Sequence, residues 1–330
     1  MTKTELESLF TAFRGLKVLI VGDVMVDSYI IGKVDRISPE APVPVVDVQQ
    51  FDSRLGGAGN VALNVQAMGA EPVLCSVIGN DKEGDYLIQL LKNSNLTQRA
   101  ILKSDKRKTT TKTRIIGNGH QLARIDHEIT SAVDTLDSFL LEQHFDRELE
   151  QADVVIFEDY NKGVLHGENI ETLLKKAISK GIPVVVDPKK DNFFKYAGAT
   201  LFKPNLKELS EGLNETRNLK DIDNMTEAVN KLDEIMHCTM YMVTMSEKGV
   251  YMRADAKAHH IAAHIRNIAD VSGAGDTVIS IAALCVALKC NPEFIAELSN
   301  LAGGLVCEET GVVPVNKEQL LQEASSLLLA

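Results

Sequence analysis

The chain has 330 residues, 45% hydrophobic and 25% charged, with 22 glycines and 9 prolines, which excludes disordered, collagenous and low-complexity classes. Its 35 Lys and Arg against 46 Asp and Glu leave a net charge of −11. That balance excludes nucleic-acid binding through bulk charge, while a local basic pocket for a phosphorylated small molecule stays open. From the amino terminus, Glu5 and Glu7 stand where a signal peptide carries basic residues, so no leader is expected. Lys17 to Val21 reads as the first strand. Residues 28–51 alternate without a helical period, carry Pro39, Pro42 and Pro44, and read as antiparallel strands. Val61 to Met68 is a helix closed by Gly69, Val73 to Ile78 a strand, and Lys82 to Asn93 a helix. A second alternating stretch, 99–126, is expected to join 28–51 in a small β-rich lid of antiparallel strands. Further strands are expected at Val154 to Phe157, Val184 to Val186, Thr200 to Phe202 and Tyr241 to Thr244. Helices over Glu168 to Ser179 and Thr226 to Met236 lie between them. The longest nearly apolar stretch, Thr277 to Leu288, falls short of the ~20 residues a membrane helix needs and reads as a buried helix. This order predicts one α/β body over 1–330: a mostly parallel central sheet with helices on both faces, the lid segments inserted into it. Five cysteines without paired spacing read as reduced packing thiols in a cytoplasm.

The strongest chemical signal is Asp270-Val-Ser-Gly-Ala-Gly-Asp276, entering the apolar helix. Gly273, Ala274 and Gly275 let a ligand approach the backbone, and N–H groups at a helix start favour an anion. Such a hole suits a transferring phosphoryl group, and Asp276 beside it can take the proton of an attacking hydroxyl. The plain alternative is a Gly-rich turn with Asp276 in the first helical turn. Leu55 to Ala62 contains GxGxxA from Gly57, a dinucleotide-binding pattern, but the candidate strand Val45 to Val48 is separated from Gly57 by polar residues. Alternatively, Gly56 and Gly57 admit a sugar and Asn60 binds its hydroxyls, or Asn60 caps a helix. Asn205 and Glu208 share a helical face and suit a hydrated Mg²⁺ near a triphosphate; the same spacing makes a capping box. Asp23 and Asp27 end the first strand and Asp187-Pro-Lys189 ends another, at the sheet edge where open α/β folds bind ligands. Within the cationic cluster from Lys106 to Arg124, Arg114 and Arg124 lie in alternating segments and are the candidates for a substrate phosphate. The eight histidines show no metal-ligand spacing.

In order and combination, these elements resemble the PfkB (ribokinase-like) carbohydrate kinases from Lys17 to about Leu320, on Gly56 to Asn60 and Asp270 to Asp276. Val271 stands where Thr is usual. Arg36-Ile-Ser-Pro-Glu-Ala-Pro-Val-Pro-Val-Val46, Asp159-Tyr160, Lys162-Gly163, Asp187-Pro188-Lys189, Pro204 to Glu208 and Gln121 to Asp126 are similar to the D-glycero-β-D-manno-heptose-7-phosphate kinases, with Glu158 in place of a small residue and His120 in place of Gln. The resemblance implies a ribokinase-like three-layer fold and transfer of the ATP γ-phosphoryl to the anomeric hydroxyl of the heptose 7-phosphate, on the route to ADP-heptose. It implies Asp276 as base, Gly273, Ala274 and Gly275 as anion hole, and Asn205 and Glu208 at the Mg²⁺–phosphate end. It places Ser246, Gly249, Asn300 and Gly303 around adenine. Asp23, Arg36, Gly56, Gly57, Asn60 and Lys189 hold substrate or phosphate, with Arg114 and Arg124 as further contacts. ATP and Mg²⁺ are the implied cofactors, together with a monovalent cation whose site the sequence does not place. The sequence ends without the HxGH module of the bifunctional heptose enzymes, so a stand-alone kinase is expected. Pairing of exposed lid edges predicts a homodimer. Ribokinase- or fructokinase-type activity, a non-catalytic nucleotide-binding regulator and an NAD-dependent oxidoreductase are the competing readings.

Overall fold

Short β-branched runs with apolar residues on both sides need a sheet covered on both faces, and the chain builds one. The computed structural model describes residues 1–255 and 257–328. Its strands, in chain order, are β1 Lys17–Gly22, β2 Val24–Ile37, β3 Pro44–Gly57, β4 Glu71–Gly79, β5 Thr97–Ser104, β6 Thr110–Gly117 and β7 His120–His127. They continue as β8 Val154–Glu158, β9 Val184–Asp187, β10 Leu201–Phe202, β11 Met240–Thr244, β12 Val250–Ala254 and β13 Lys257–Ile261. The helices are α1 Lys3–Ala12, α2 Ala58–Ala67, α3 Lys82–Asn93, α4 Thr135–Leu149 and α5 Gly167–Ser179, then α6 Leu206–Leu213, α7 Ile222–Met236, α8 Ala274–Ala287, α9 Pro292–Val306 and α10 Lys317–Leu327.

The large sheet runs β13-β12-β11-β10-β9-β8-β1-β4-β5, parallel from β11 to β5 and antiparallel at β11-β12-β13. Alternation along each strand divides the core. Val18 and Ile20 of β1, Val154 and Ile156 of β8, and Val185 of β9 pack with α2, α8 and α9. Leu19 and Val21, Val155 and Phe157, and Val184 and Val186 pack on the other face with α4, α5 and α7. These are the expected three layers. No described helix is long and apolar enough to cross a membrane.

The small sheet runs β3-β2-β6-β7, and here the expectation needs correcting. The first part of 99–126 belongs to β5, the parallel edge strand beside β4 in the large sheet. Its neighbouring residues serve opposite cores: Ala100 and Leu102 pack on one face and Ile101 on the other. Alternation alone cannot separate that pattern from a one-sided strand. The small sheet therefore comprises 24–57 and 110–127, and β2 pairs β6 in parallel, not antiparallel. The helices α1, α4 and α10 lie outside the elements read from the sequence, although local caps mark them: Thr2 and Glu5 form a capping box on α1, and Asn316 caps α10.

Candidate active site

The carboxyl ends of β1, β8 and β9 lie side by side, which is where Asp23, Glu158 and Asp187 emerge. The N-terminus of α8 faces this edge. Its entry turn is tied down by Asp270, which accepts from Ser272 N–H at 3.0 Å, Ser272 Oγ at 2.8 Å and Gly311 N–H at 3.0 Å. Gly273 caps the helix at φ +81°, and a Cβ there would lie 2.8 Å from Asn60 Nδ2. Only glycine suits that combination. The Ala274 N–H is used on Val271 O at 3.3 Å; among the described residues, the N–H groups of Gly275 and Asp276 find no acceptor. They are free to meet an anion, with the helix dipole behind them.

Asp276 is buried in the first turn of α8. Its Oδ2 accepts from Asn60 Nδ2 at 2.8 Å and its Oδ1 from Tyr160 Oη at 2.7 Å. Asn60 is in turn braced by Asn64, whose Nδ2 donates to Asn60 O at 3.0 Å and whose Oδ1 accepts from Thr277 Oγ1 at 3.0 Å. Burial pushes the Asp276 carboxyl up to about 6; the Asn60 and Tyr160 hydrogen bonds oppose that, and the Asp187 charge adds to it. Burial and the Asp276 charge hold the Tyr160 phenol well above its ordinary value, so it remains a donor.

Tyr160 is placed by Asp23. The Asp23 carboxylate accepts backbone N–H from Tyr160 at 2.9 Å, Lys162 at 3.0 Å and Val164 at 3.1 Å. Burial, then the Asp159 charge, pushes Asp23 up to about 6 against those three bonds. Three of its lone-pair directions are thus engaged in shaping a loop, and the sugar contact read from the sequence stays a proposal. Gly57 at φ +58° lets β3 pass beside this strand end, where a Cβ would lie 2.5 Å from Asp23 O.

Beside the α8 turn, Lys203 Nζ meets Asp187 Oδ2 at 2.8 Å, both groups buried. Both lie 3.9 Å from where a Gly275 Cβ would be. Lys189 Nζ meets Glu208 Oε1 at 2.5 Å and lies 5.2 Å from the Tyr160 ring centroid. Burial alone would lower both lysines, but the Asp187 and Glu208 charges outweigh it, so both stay charged. Asn205 and Glu208 form a reciprocal capping box on α6, each bond 2.8 Å. The helix-cap alternative is therefore what their side chains do here.

A cavity of about 570 Å³ joins these groups. It is lined by Gly273, Ala274, Gly275, Asp276, Lys189 and Asn205, by Ser246 and Gly249 between β11 and β12, and by Asn300 and Gly303 on α9. Asn60 reaches it through Asp276, whereas Glu208 stands behind Lys189. The basic candidates of the small sheet fare differently. Arg114 is half-buried, pairs with Asp27 at 2.5 Å and lies over Tyr29. Arg124 is exposed and forks onto Asp126 at 2.9 and 3.0 Å, and Arg36 is exposed at the far end of β2. Neither lines this cavity, and their contact to substrate stays a proposal. Tyr160 and Lys203 received no role from the sequence. The Phe202-Lys203-Pro204 step after a buried strand was the available signal for the second. The GxGxxA reading needs a correction too. β3 does run directly into α2, but it does so in the small sheet, antiparallel to β2, not in the parallel unit that cradles a dinucleotide.

Free backbone donors, a buried carboxylate and two lysines around one cavity suit phosphoryl transfer to a hydroxyl. Comparison with known proteins agrees. A family model described as pfkB family carbohydrate kinase matches residues 16–319. The bifunctional protein HldE of Geotalea uraniireducens is 36% identical over 326 residues, covering 98% of this chain and 66% of that protein. This chain thus spans a little under two thirds of that relative's length. Phosphofructokinase-2 from Escherichia coli, solved in complex with potassium, superposes with a TM-score of 0.78 at 20% identity over 96% of this chain and 99% of that one. Arabidopsis thaliana ribokinase, complexed with ribose and ATP, gives 0.72 at 15% identity over 93% and 99%. At such identities these two likenesses speak to the fold, which is ribokinase-like.

Proposed function

The chain belongs to the pfkB family of carbohydrate kinases, a sugar phosphotransferase, and from that premise we propose that it phosphorylates the anomeric hydroxyl of D-glycero-β-D-manno-heptose 7-phosphate with ATP. The product, the 1,7-bisphosphate, would feed ADP-heptose synthesis for lipopolysaccharide in the cytoplasm. The observation that carries the kinase chemistry is Asp276, held by Asn60 and Tyr160 at the start of α8 beside unclaimed N–H groups. The heptose assignment is supported by the likeness to HldE across 98% of the chain.

In this reading Asp276 takes the proton from the attacking hydroxyl. The N–H groups of Gly275 and Asp276 receive the oxygens of the transferring group, and Lys203 and Lys189 offset its charge. Asn60, Gly56 and Gly57 border the sugar, and Arg114 reaches toward its polar end. Ser246, Gly249, Asn300 and Gly303 enclose the adenine side. Among the described residues, no group of three or more His, Cys, Asp or Glu converges on a metal position. In this reading Mg²⁺ would arrive on ATP with its own waters, near Asn205 and Glu208. When bound, that ion neutralises developing phosphate charge. A monovalent cation is the further cofactor of this reading. Positioning and fixed charge supply most of the acceleration.

The small sheet leaves Phe51 75% and Ile125 56% exposed, and we assign that surface to a second copy of the chain. A mass that stays monomeric across concentration would refute the dimer. ADP release with ATP and Mg²⁺ against heptose 7-phosphate, ribose, fructose and fructose 6-phosphate tests the substrate. Turnover confined to the heptose supports the proposal. Turnover on another sugar retains the kinase and discards the heptose.

A further inference from the structure

Glu158 closes β8 with no exposed surface, and neither of its carboxylate oxygens has a hydrogen-bond partner. Its register partner on β9 is Asp187, whose Oδ1 is also buried without a partner. Strand parity points both carboxylates the same way. Val154 and Ile156 of β8 and Val185 of β9 pack on the α8 face, and Glu158 and Asp187 continue those rows. Three buried acceptor atoms thus stand together with no donor, a costly arrangement if all are ionised.

The nearby donors are committed elsewhere. Lys203 is on Asp187 Oδ2, Lys189 on Glu208, Tyr160 on Asp276, and Tyr196 on Asp159. We propose that Glu158 is a neutral carboxylic acid that donates its proton to Asp187 Oδ1 and thereby positions the Asp187–Lys203 pair beside the anion-binding turn.

The charges around it argue the same way. Asp187, Asp276 and Glu208 are set against Lys189 and Lys203. An ionised Glu158 would add a further buried negative charge where an anionic ligand must dock. One proton removes that charge and gives Asp187 its missing donor. Burial, then the charges of Asp187 and Asp276, holds the carboxyl well above the ordinary glutamate range, and Lys203 and Lys189 do not reverse this. Carboxylic acids kept neutral by apolar sites and used as donors are an established device. Glu158 is a positioning residue: it acts through Asp187 on Lys203. That role rests on the kinase reading, whereas its protonation does not.

Infrared difference spectroscopy of the resting full-length protein tests the protonation without substrate. At about pH 8, well above the values near 6 of Asp23 and Asp276, the wild type should show the carbonyl stretch of a protonated carboxyl. Glu158→Gln should lose it. A wild-type spectrum without that band overturns the proposal, whatever the variant does. Kinetics tests the positioning. Glu158→Leu removes the donor and should lower kcat/KM for ATP about tenfold or more, while Glu158→Gln, which keeps an N–H toward Asp187, should restore most of it. Glu158→Gln should also leave the acid limb of the pH profile in place. A limb moving to lower pH would mean that a negative charge had been removed, and would overturn the neutral acid. An enzyme lacking any acid limb would instead count against Asp276 as base and leave the infrared result standing.

Discussion

Removing the hydroxyl of Tyr160 tests how the base is tuned. In Tyr160→Phe the ring that Lys189 overlies is retained, as is the Asn60 bond to Oδ2, and only the 2.7 Å donor to Asp276 Oδ1 is lost. A hydrogen bond to a charged group contributes about 1.5–3 kcal/mol, and one pKa unit corresponds to about 1.36 kcal/mol. The bond favours the ionised carboxylate, so its loss raises the pKa by about one to two units. From a starting value of about 6, the Asp276 carboxyl should therefore titrate at roughly 7 to 8 in the variant. At about pH 7 the ionised fraction falls from roughly nine-tenths to between a half and a tenth, and the rate should fall about two- to tenfold. Above about pH 9 it should recover. Initial rates of ADP release at sub-saturating sugar, followed across pH, give the midpoint of the acid limb in kcat/KM, which reports the free enzyme. A midpoint that does not move, whether or not the rate drops, would refute the tuning of Asp276 by Tyr160.

Asp276→Asn should lower turnover by at least about a hundredfold while calorimetric ATP binding persists, because the base is lost and the N–H groups remain; unchanged turnover would sink the assignment. The same variant carries a stability signature. Burial raises Asp276 from 3.8 to about 6, so between those values the folded chain holds more protons than the unfolded one, and this group's contribution to stability falls as pH rises through that window. Urea unfolding should find Asp276→Asn gaining on the wild type between about pH 4 and pH 7, by an amount on the order of 2 kcal/mol. Gly273→Ala should lower kcat about tenfold or more with little change in overall secondary structure by circular dichroism, since its Cβ meets Asn60 Nδ2 at 2.8 Å and its backbone sits at φ +81°. Normal kcat would show that Asn60 does not hold the base.

The backbone form of the segment from Asp270 to Asp276 was legible because it is local: one turn, one helix start, one carboxylate in the first turn. The cap made by Asn205 and Glu208 was legible for the same reason, and the cap and ligand readings of that spacing differ only in what lies nearby. The periodic patterns likewise sufficed for β1, β4, α3 and the layered α/β class, since a strand with apolar residues on both faces must be covered on both. The partners were not legible. Asp23 turned out to hold a loop because β1 and β8 are neighbours in the sheet, though 137 residues separate Asp23 from Tyr160. Tyr160 reaches Asp276 across 116 residues, and Lys203 finds Asp187 because β10 lies beside β9. Strand β5 shows the same limit: its residues allowed either sheet, and only pairing with β4 decided. Local spacing dictates which backbone groups are left free and which side chains a turn presents. Strand order, which the chain reaches only when its whole core closes, decides which buried charge meets which donor.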